Sequence, residues 1–456
     1  MSSTTRFTTP TLLSYEHELA LSISKFVRSG CDKIPYDIDI LKDEQVEAID
    51  AACSNQLTII HGLPGSGKTT TIARIVNAFD KAGMIGAVMC PTGKASKRAD
   101  IMLDDSGMQF SNQPQCSTTH VGLMYKNGGF LVNYKNKLDV DYLVLDEFSM
   151  QGLEMARNIF TSVDPSRTRI VISGDYNQLP SIDPGSVMRD MIISSEIKTV
   201  KLTSLHRQNK DSGIAINSRR ILEGMDVYSK HPETGAAFSD WFLLSRPDPV
   251  VTRNYIVKAV SEGIPGKMGY DPIKDIQVLV PGKNGESGTI KLNEELRSVL
   301  NKTGGPEKHG FKVGDKVINK ENNYRLNVTN GDIGVVVDIG EKGMEIDFGG
   351  KTGPAYDGIV EFDYGKDKPR IDFAYAATIH ASQGDEYKAA VIPYHRNHWR
   401  LLYRNLTYTG CTRPKNLIIN VGDLDCFSKS IKTVSLENRI TNLPALIKRY
   451  TSKTKV

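Results

Sequence analysis

Gly62-Leu63-Pro64-Gly65-Ser66-Gly67-Lys68-Thr69 fits G-x-x-x-x-G-K-[ST] at every fixed position, and nothing else in the chain narrows its fold as much. The apolar run Gln56–Ile60 precedes it, and Thr69–Phe79 reads as a helix. In a strand, glycine-rich turn and helix of this kind, successive backbone N–H groups wrap an anion. The helix dipole directs its positive end to the same place. Lys68 is then set to reach the β- and γ-phosphates of a nucleotide, and Thr69 to hold Mg²⁺ through its hydroxyl. Gly62, Pro64, Gly65, Ser66, Gly67 and Thr70 complete the cradle.

The same alternation continues. Ile85–Cys90, Tyr142–Leu145 and Ile170–Ile172 are short apolar runs, each followed by a polar cluster and separated by helical stretches. Buried strands alternating with helices imply an α/β fold with a parallel sheet, whose ligands sit at the carboxyl ends of the strands. Leu143-Val144-Leu145 delivers Asp146 and Glu147 to that edge. Beside a phosphate loop, Asp146 suits a Mg²⁺ ligand and Glu147 a group that polarises the attacking water. This predicts nucleoside triphosphate hydrolysis.

With 456 residues, 39 % hydrophobic and 24 % charged, the composition is that of an ordinary globular chain and excludes fibrous and disordered classes. Lys+Arg number 57 and Asp+Glu 53, a net charge of +4, too mild to identify a polyanionic partner. No apolar run reaches membrane-spanning length, and the N-terminus lacks a secretory pattern. The six cysteines are scattered without a C-x-x-C pair, which fits reduced thiols in a cytoplasm. His395 and His398 are three apart, but no further ligand type lies near in sequence, so a surface location is expected.

Four segments are expected. Residues 1–190 form a first α/β core with an N-terminal helical segment, and 119–140 a β-hairpin insertion within it. Residues 191–456 form a second core, and 304–370 a small antiparallel barrel within that. The hairpin is read from Asn127-Gly128-Gly129. The barrel is read from the glycine-rich, β-branched stretch containing Val313–Val317 and Asn330–Val336.

Further motifs follow in order: Leu41–Gln45, Pro91-Thr92-Gly93-Lys94-Ala95, Ser117–His120, Gly174–Pro180, Leu205–Gln208, Thr378–Gly384 and Tyr408–Arg413. With the two phosphate motifs they resemble the motif set of superfamily 1B helicases, the RecD-like and phage Dda-like branch, over residues 41–422. The resemblance implies two tandem RecA-like cores, an SH3-like insertion and ATP-driven 5′→3′ movement on single-stranded DNA. That movement would unwind duplex junctions in replication, recombination or repair. An RNA-directed relative, or a motor subunit of a larger recombination–nuclease complex, is the alternative.

The resemblance also carries site residues. Gln45 corresponds to an adenine-reading glutamine, whose amide both donates and accepts; a helix-surface glutamine is its rival. Gln178 corresponds to the γ-phosphate sensor. Arg207 and Arg413 correspond to arginines supplied by the second core, suited to phosphoryl groups by charge and forked donors. His206 stands where the branch commonly has a base-stacking aromatic, and Gly384 and Glu386 lie at the nucleotide site. Pro91, Thr92, Lys94, Thr118, His120, Thr378, His380 and Gln383 would line the strand, although helix capping suits each threonine equally and a packed core position suits His380. Tyr125, Phe130 and Tyr134 either stack on the last base pair or hold the hairpin to its own core. Acids slightly outnumber bases in 311–370, so any DNA contact there would be local, at Lys316, Asn323, Tyr324 or Arg325. A monomer working with partners such as a single-strand binding protein is expected.

Overall fold

The structure, a computed structural model, describes residues 8–37, 43–203, 211–303, 305, 307–350, 352, 357–434 and 439–452. The chain forms two compact units, Met1–Arg207 with Glu437–Val456, and Gln208–Leu436.

The first unit carries β1 (Leu57–Gly62), β2 (Gly86–Cys90), β3 (Gln115–Thr118), β4 (Tyr125–Lys126), β5 (Gly129–Phe130), β6 (Tyr142–Leu145), β7 (Arg169–Gly174) and β8 (Lys198–Leu202). Six of them make one parallel sheet in the order β3-β2-β6-β7-β1-β8. Its central strands β6, β7 and β1 are buried along their whole length because both faces are covered. The pleat sends Ile59, Leu143, Leu145, Ile170 and Ile172 to one core, with Leu19, Ile23 and Phe160. Ile60, Val144, Val171 and Val200 go to the other, with Ile49, Ile75 and Phe79.

The first unit extends past residue 190, unlike the sequence expectation. Strand β8 pairs with β1. The C-terminal helix Leu443–Ser452 also belongs here rather than to the second core, because Leu443, Leu446 and Ile447 complete the apolar face formed by Leu19 and Ile23. Tyr450 and His17 reinforce this at 2.7 Å.

Strands β4 and β5 are the hairpin anticipated from Asn127-Gly128. Both residues have positive φ, 52° and 82°, as a two-residue type I′ turn requires.

The second unit carries β9 (Trp241–Ser245), β10 (Ile276–Val280), β11 (Lys316–Asn319), β12 (Ile333–Ile339), β13 (Gly343–Asp347), β14 (Ile359–Asp363), β15 (Ile371–Phe373), β16 (Ala376–Thr378), β17 (Tyr387–Tyr394) and β18 (Pro414–Gly422). A second parallel sheet runs β16-β10-β17-β18-β9. The insertion is an antiparallel sheet, β14-β13-β12-β11-β15, around Val317, Val328, Val336, Met344, Ile346, Val360 and Phe362. It is tied to its host by buried Asp315. This carboxylate accepts from Arg297 at 2.8 and 2.9 Å, from Asn301 at 2.8 Å and from the Tyr375 hydroxyl at 3.1 Å. Lys316, expected as a strand contact, is instead buried and donates to Ile276 O at 3.1 Å. Asn323 and Arg325 both engage Asp367, while Tyr324 is exposed. No helix among the described residues is long and apolar enough to cross a membrane.

Candidate nucleotide site and strand-contact residues

Register brings the phosphate motifs of the first unit to one edge. Leu145 is level with Ile172, and Ile172 with Ile59. Asp146 and Glu147 therefore leave β6 at the height where β7 ends in Ser173-Gly174 and β1 in His61-Gly62. The loop that follows turns through Gly65 and Gly67, at φ 79° and 84°, a conformation that L side chains resist. Gly62 has no room for a side chain, since a Cβ there would lie 2.5 Å from Leu202 O.

Lys68 opens the helix Lys68–Lys81, and its ammonium donates to Gly62 O at 2.7 Å and Leu63 O at 3.1 Å. Burial lowers its pKa, while the charges of Asp175, Glu147 and Asp146 act in the opposite sense. Ser66 Oγ is buried with no hydrogen-bond partner in the structure, a polar atom placed where a phosphate oxygen would satisfy it. Thr69 and Asp146 supply only oxygen donors, the kind Mg²⁺ takes. No group of three or more His, Cys, Asp or Glu among the described residues could hold a metal by itself. A Mg²⁺ ion here would share ligands with the nucleotide.

Glu147 adopts φ 51°, ψ 35°. A left-handed glutamate costs about 1 kcal/mol, and such strain collects at functional positions. Gln178 is buried behind β7, its amide long-bonded to Asp175 at 3.5 Å. Gln45 is buried, not a surface residue. Its amide lies against the loop, 3.4 Å from Gly67 O and 3.3 Å from Thr71 Oγ1. Three participants went unnoticed in the sequence: Asp175, nearly inaccessible and within electrostatic reach of Lys68; Arg98, also within that reach; and His61, ring to ring with Tyr176 at 5.2 Å. Asp175 lies inside a motif already singled out, so a buried acid after a strand was its available signal.

His206 and Arg207 lie outside the described residues. Arg413 is buried in the second unit and donates to Thr409 O, Asp385 O and Thr412 Oγ1 at 3.1–3.3 Å. Gly384 has φ 83° and Glu386 pairs with Lys415 at 2.8 Å.

All three threonines named for the strand are caps. Thr92 accepts from Ala95 N–H, Thr118 from Val121 N–H and Thr378 from Ala381 N–H, at 3.2–3.3 Å. Capping uses the oxygen as acceptor and each hydroxyl still has a proton to donate, so the two roles coexist. Pro91 and Lys94 flank the first cap, and Gln383 is buried near the third, its N–H donating to His380 O. His120, Tyr125 and Phe130 form one aromatic cluster, with centroids 5.0–5.9 Å apart. Phe130 packs on the core, whereas Tyr125 and Tyr134 are 53 % and 64 % exposed. The hairpin thus holds itself by one ring and shows two.

A parallel sheet carrying this loop and paired acids, in a chain whose other unit holds a second parallel sheet, defines a P-loop protein with tandem RecA-like folds. Comparison with known proteins narrows the class. Residues 40–231 match a family described as AAA domain, 292–348 the ATP-dependent RecD-like DNA helicase SH3 domain and 373–419 the UvrD-like helicase C-terminal domain. The ATP-dependent RecD2 DNA helicase of Deinococcus radiodurans is 28 % identical over 84 % of this chain, which spans only 49 % of that protein. The RecBCD enzyme subunit RecD of Mycobacterium tuberculosis is 27 % identical over 83 % of this chain and 69 % of its own length. A Bacteroides Pif1 helicase crystallised with ADP-AlF3 and ssDNA shares the fold, with a TM-score of 0.53 and 14 % identity over 92 % of this chain and 99 % of that one. Together these matches support a helicase of superfamily 1B, similar to RecD-like proteins over most of the chain.

Proposed function

We propose that the protein is an ATP-dependent DNA helicase that translocates 5′→3′ on single-stranded DNA and opens duplex junctions. The observation that carries this is the convergence of Lys68, Asp146, Glu147 and Asp175 at one sheet edge, in a chain whose relatives include a DNA helicase.

Lys68 neutralises the β/γ-phosphates, with the loop N–H groups around them. Thr69 and Asp146 would hold Mg²⁺, which when bound would offset charge developing on the γ-phosphoryl group. Glu147 takes a proton from the attacking water. Gln45 sits beside the base, and Gln178 reports the γ-phosphate to the strand side. Arg207 and Arg413 add positive charge at the phosphates, the role that the helicase resemblance implies for both. For Arg413 this means exchanging backbone acceptors for phosphate oxygens. His206, Gly384 and Glu386 complete the nucleotide surroundings. Pro91, Thr92, Lys94, Thr118, His120, Thr378, His380 and Gln383 grip the strand, and Tyr125 and Tyr134 meet the junction.

A cytoplasmic monomer working with replication or recombination proteins fits this reading. The similarity to RecD subunits favours membership of a larger complex as the second one. Strand displacement on duplexes tailed at the 5′ or the 3′ end, with and without ATP, decides. ATP-dependent opening of the 5′-tailed substrate alone is expected, and opening of only the 3′-tailed one overturns the polarity.

A further inference from the structure

Residues 395–404 hold three arginines, two histidines and no acid, and no motif of the nucleotide or strand machinery covers them. They leave β17 in a run of tight turns. His398 N–H donates to His395 O, Trp399 N–H to Arg396 O and Leu401 N–H to His398 O.

The histidines expected at the surface are buried, 3 % and 4 % exposed, and burial lowers both pKa values. They are anchors. His398 Nε2 meets Asn284 O at 2.9 Å, and its ring covers Gly282, where a Cβ would lie 2.9 Å away. Leu402 is buried on the far side. Between these anchors Trp399 is lifted out, 57 % exposed, with Leu401 and Leu424 also exposed. A single exposed apolar side chain is common, so what surrounds the ring is the informative feature. The guanidinium of Arg400 and the ammonium of Lys429 lie 5.4 and 5.8 Å from its ring. Arg396, largely exposed, pairs with Asp423 at 3.3 Å. An exposed ring among cations is the combination that receives single-stranded nucleic acid without reading sequence, by stacking a base and neutralising its phosphates. The supporting loop reaches the strand residues too: Lys283, next to Asn284, lines a groove of about 710 Å³ together with Thr289, Thr378 and Lys320.

We propose that Trp399 is a base-stacking contact for single-stranded nucleic acid on the second unit, flanked by Arg400 and Lys429. The inference rests on the helicase reading above. The chain has two tryptophans, and the other, Trp241, is 3 % exposed, so Trp399 is its own reporter.

The full chain is titrated with end-labelled oligothymidylate, reading label anisotropy and tryptophan emission together. Binding accompanied by quenching of the exposed tryptophan is expected. Trp399→Phe should lose the quench but keep most affinity. Trp399→Ala should weaken binding about 5-fold or more, the low end of stacking losses, with DNA-free ATP hydrolysis unchanged. Binding without quenching, and with Trp399→Ala at wild-type affinity, overturns the contact and leaves the helicase reading intact. Absence of any binding overturns both.

Discussion

Each unit contains a parallel strand, a glycine-rich loop and a helix, yet the two loops meet their helices differently. After β1, the loop Gly62–Gly67 turns outward through two left-handed glycines, and the helix opens on Lys68 with no side-chain cap. After β10, the loop Pro281–Gly288 folds onto its own helix. Thr289 N–H donates to Gly282 O at 3.3 Å and Ile290 N–H to Lys283 O at 3.2 Å. A Cβ on Gly288 would lie 2.3 Å from Lys283 O, so glycine there serves close packing and not phosphate. Helix N-termini bind anions through unspent N–H groups. The second loop spends its own. The contrast teaches that a glycine-rich turn before a helix is only a precondition; which carbonyls face the first N–H groups decides.

The comparison is broken most directly at Lys68. Lys68→Ala should reduce ATP hydrolysis to background in a steady-state phosphate-release assay, and near-normal turnover would show that the first loop is no more a phosphate site than the second.

Glu147→Gln sharpens the comparison next. It should retain nucleotide binding by equilibrium titration while hydrolysis falls about 100-fold or more, in the range of a lost general base. Loss of binding would reassign the residue.

Arg413→Ala probes what the second unit gives to chemistry. Hydrolysis with single-stranded DNA present should fall about tenfold or more, as for a phosphate-stabilising arginine. Its three acceptors would each lose a donor, so Arg413→Lys is run alongside. A rate unaffected in both variants would confine Arg413 to structure.

The smallest effect concerns where the first unit ends. Burial raises the Asp190 pKa to about 6, against a donated hydrogen bond from Thr441 at 2.8 Å. The folded protein thus holds this proton more tightly than the unfolded chain. The site's contribution to stability is fully present below pH 4 and is lost as pH rises through 6. Asp190→Asn should therefore gain stability over wild type as pH rises from 4 to 7, by about 1–2 kcal/mol. Paired denaturation curves measure the gain, and a difference that does not change with pH would remove the burial argument.

Much of the site was legible. Fixed residue types at fixed spacing identify Lys68, Thr69, Asp146 and Glu147, because phosphate chemistry admits few substitutes, and Asn127-Gly128 announced the hairpin through its turn. The hidden part depended on long-range packing. Asp175 looked like any loop acid until the neighbouring elements buried it. Lys316 and the histidines at 395 and 398 carried polar labels that their surroundings overruled, and the C-terminal helix showed no preference for the first unit until its apolar face met Leu19 and Ile23.

From the chain's letters alone came the α/β class, the phosphate loop, the paired acids and the order of motifs, all encoded within a few residues by spacing and backbone permission. Only the folded molecule decided which glycine loop keeps its N–H groups for a ligand, which cations are spent internally and that one tryptophan of two stands in water. Those outcomes depend on desolvation and on partners distant in sequence, which short-range patterns do not specify.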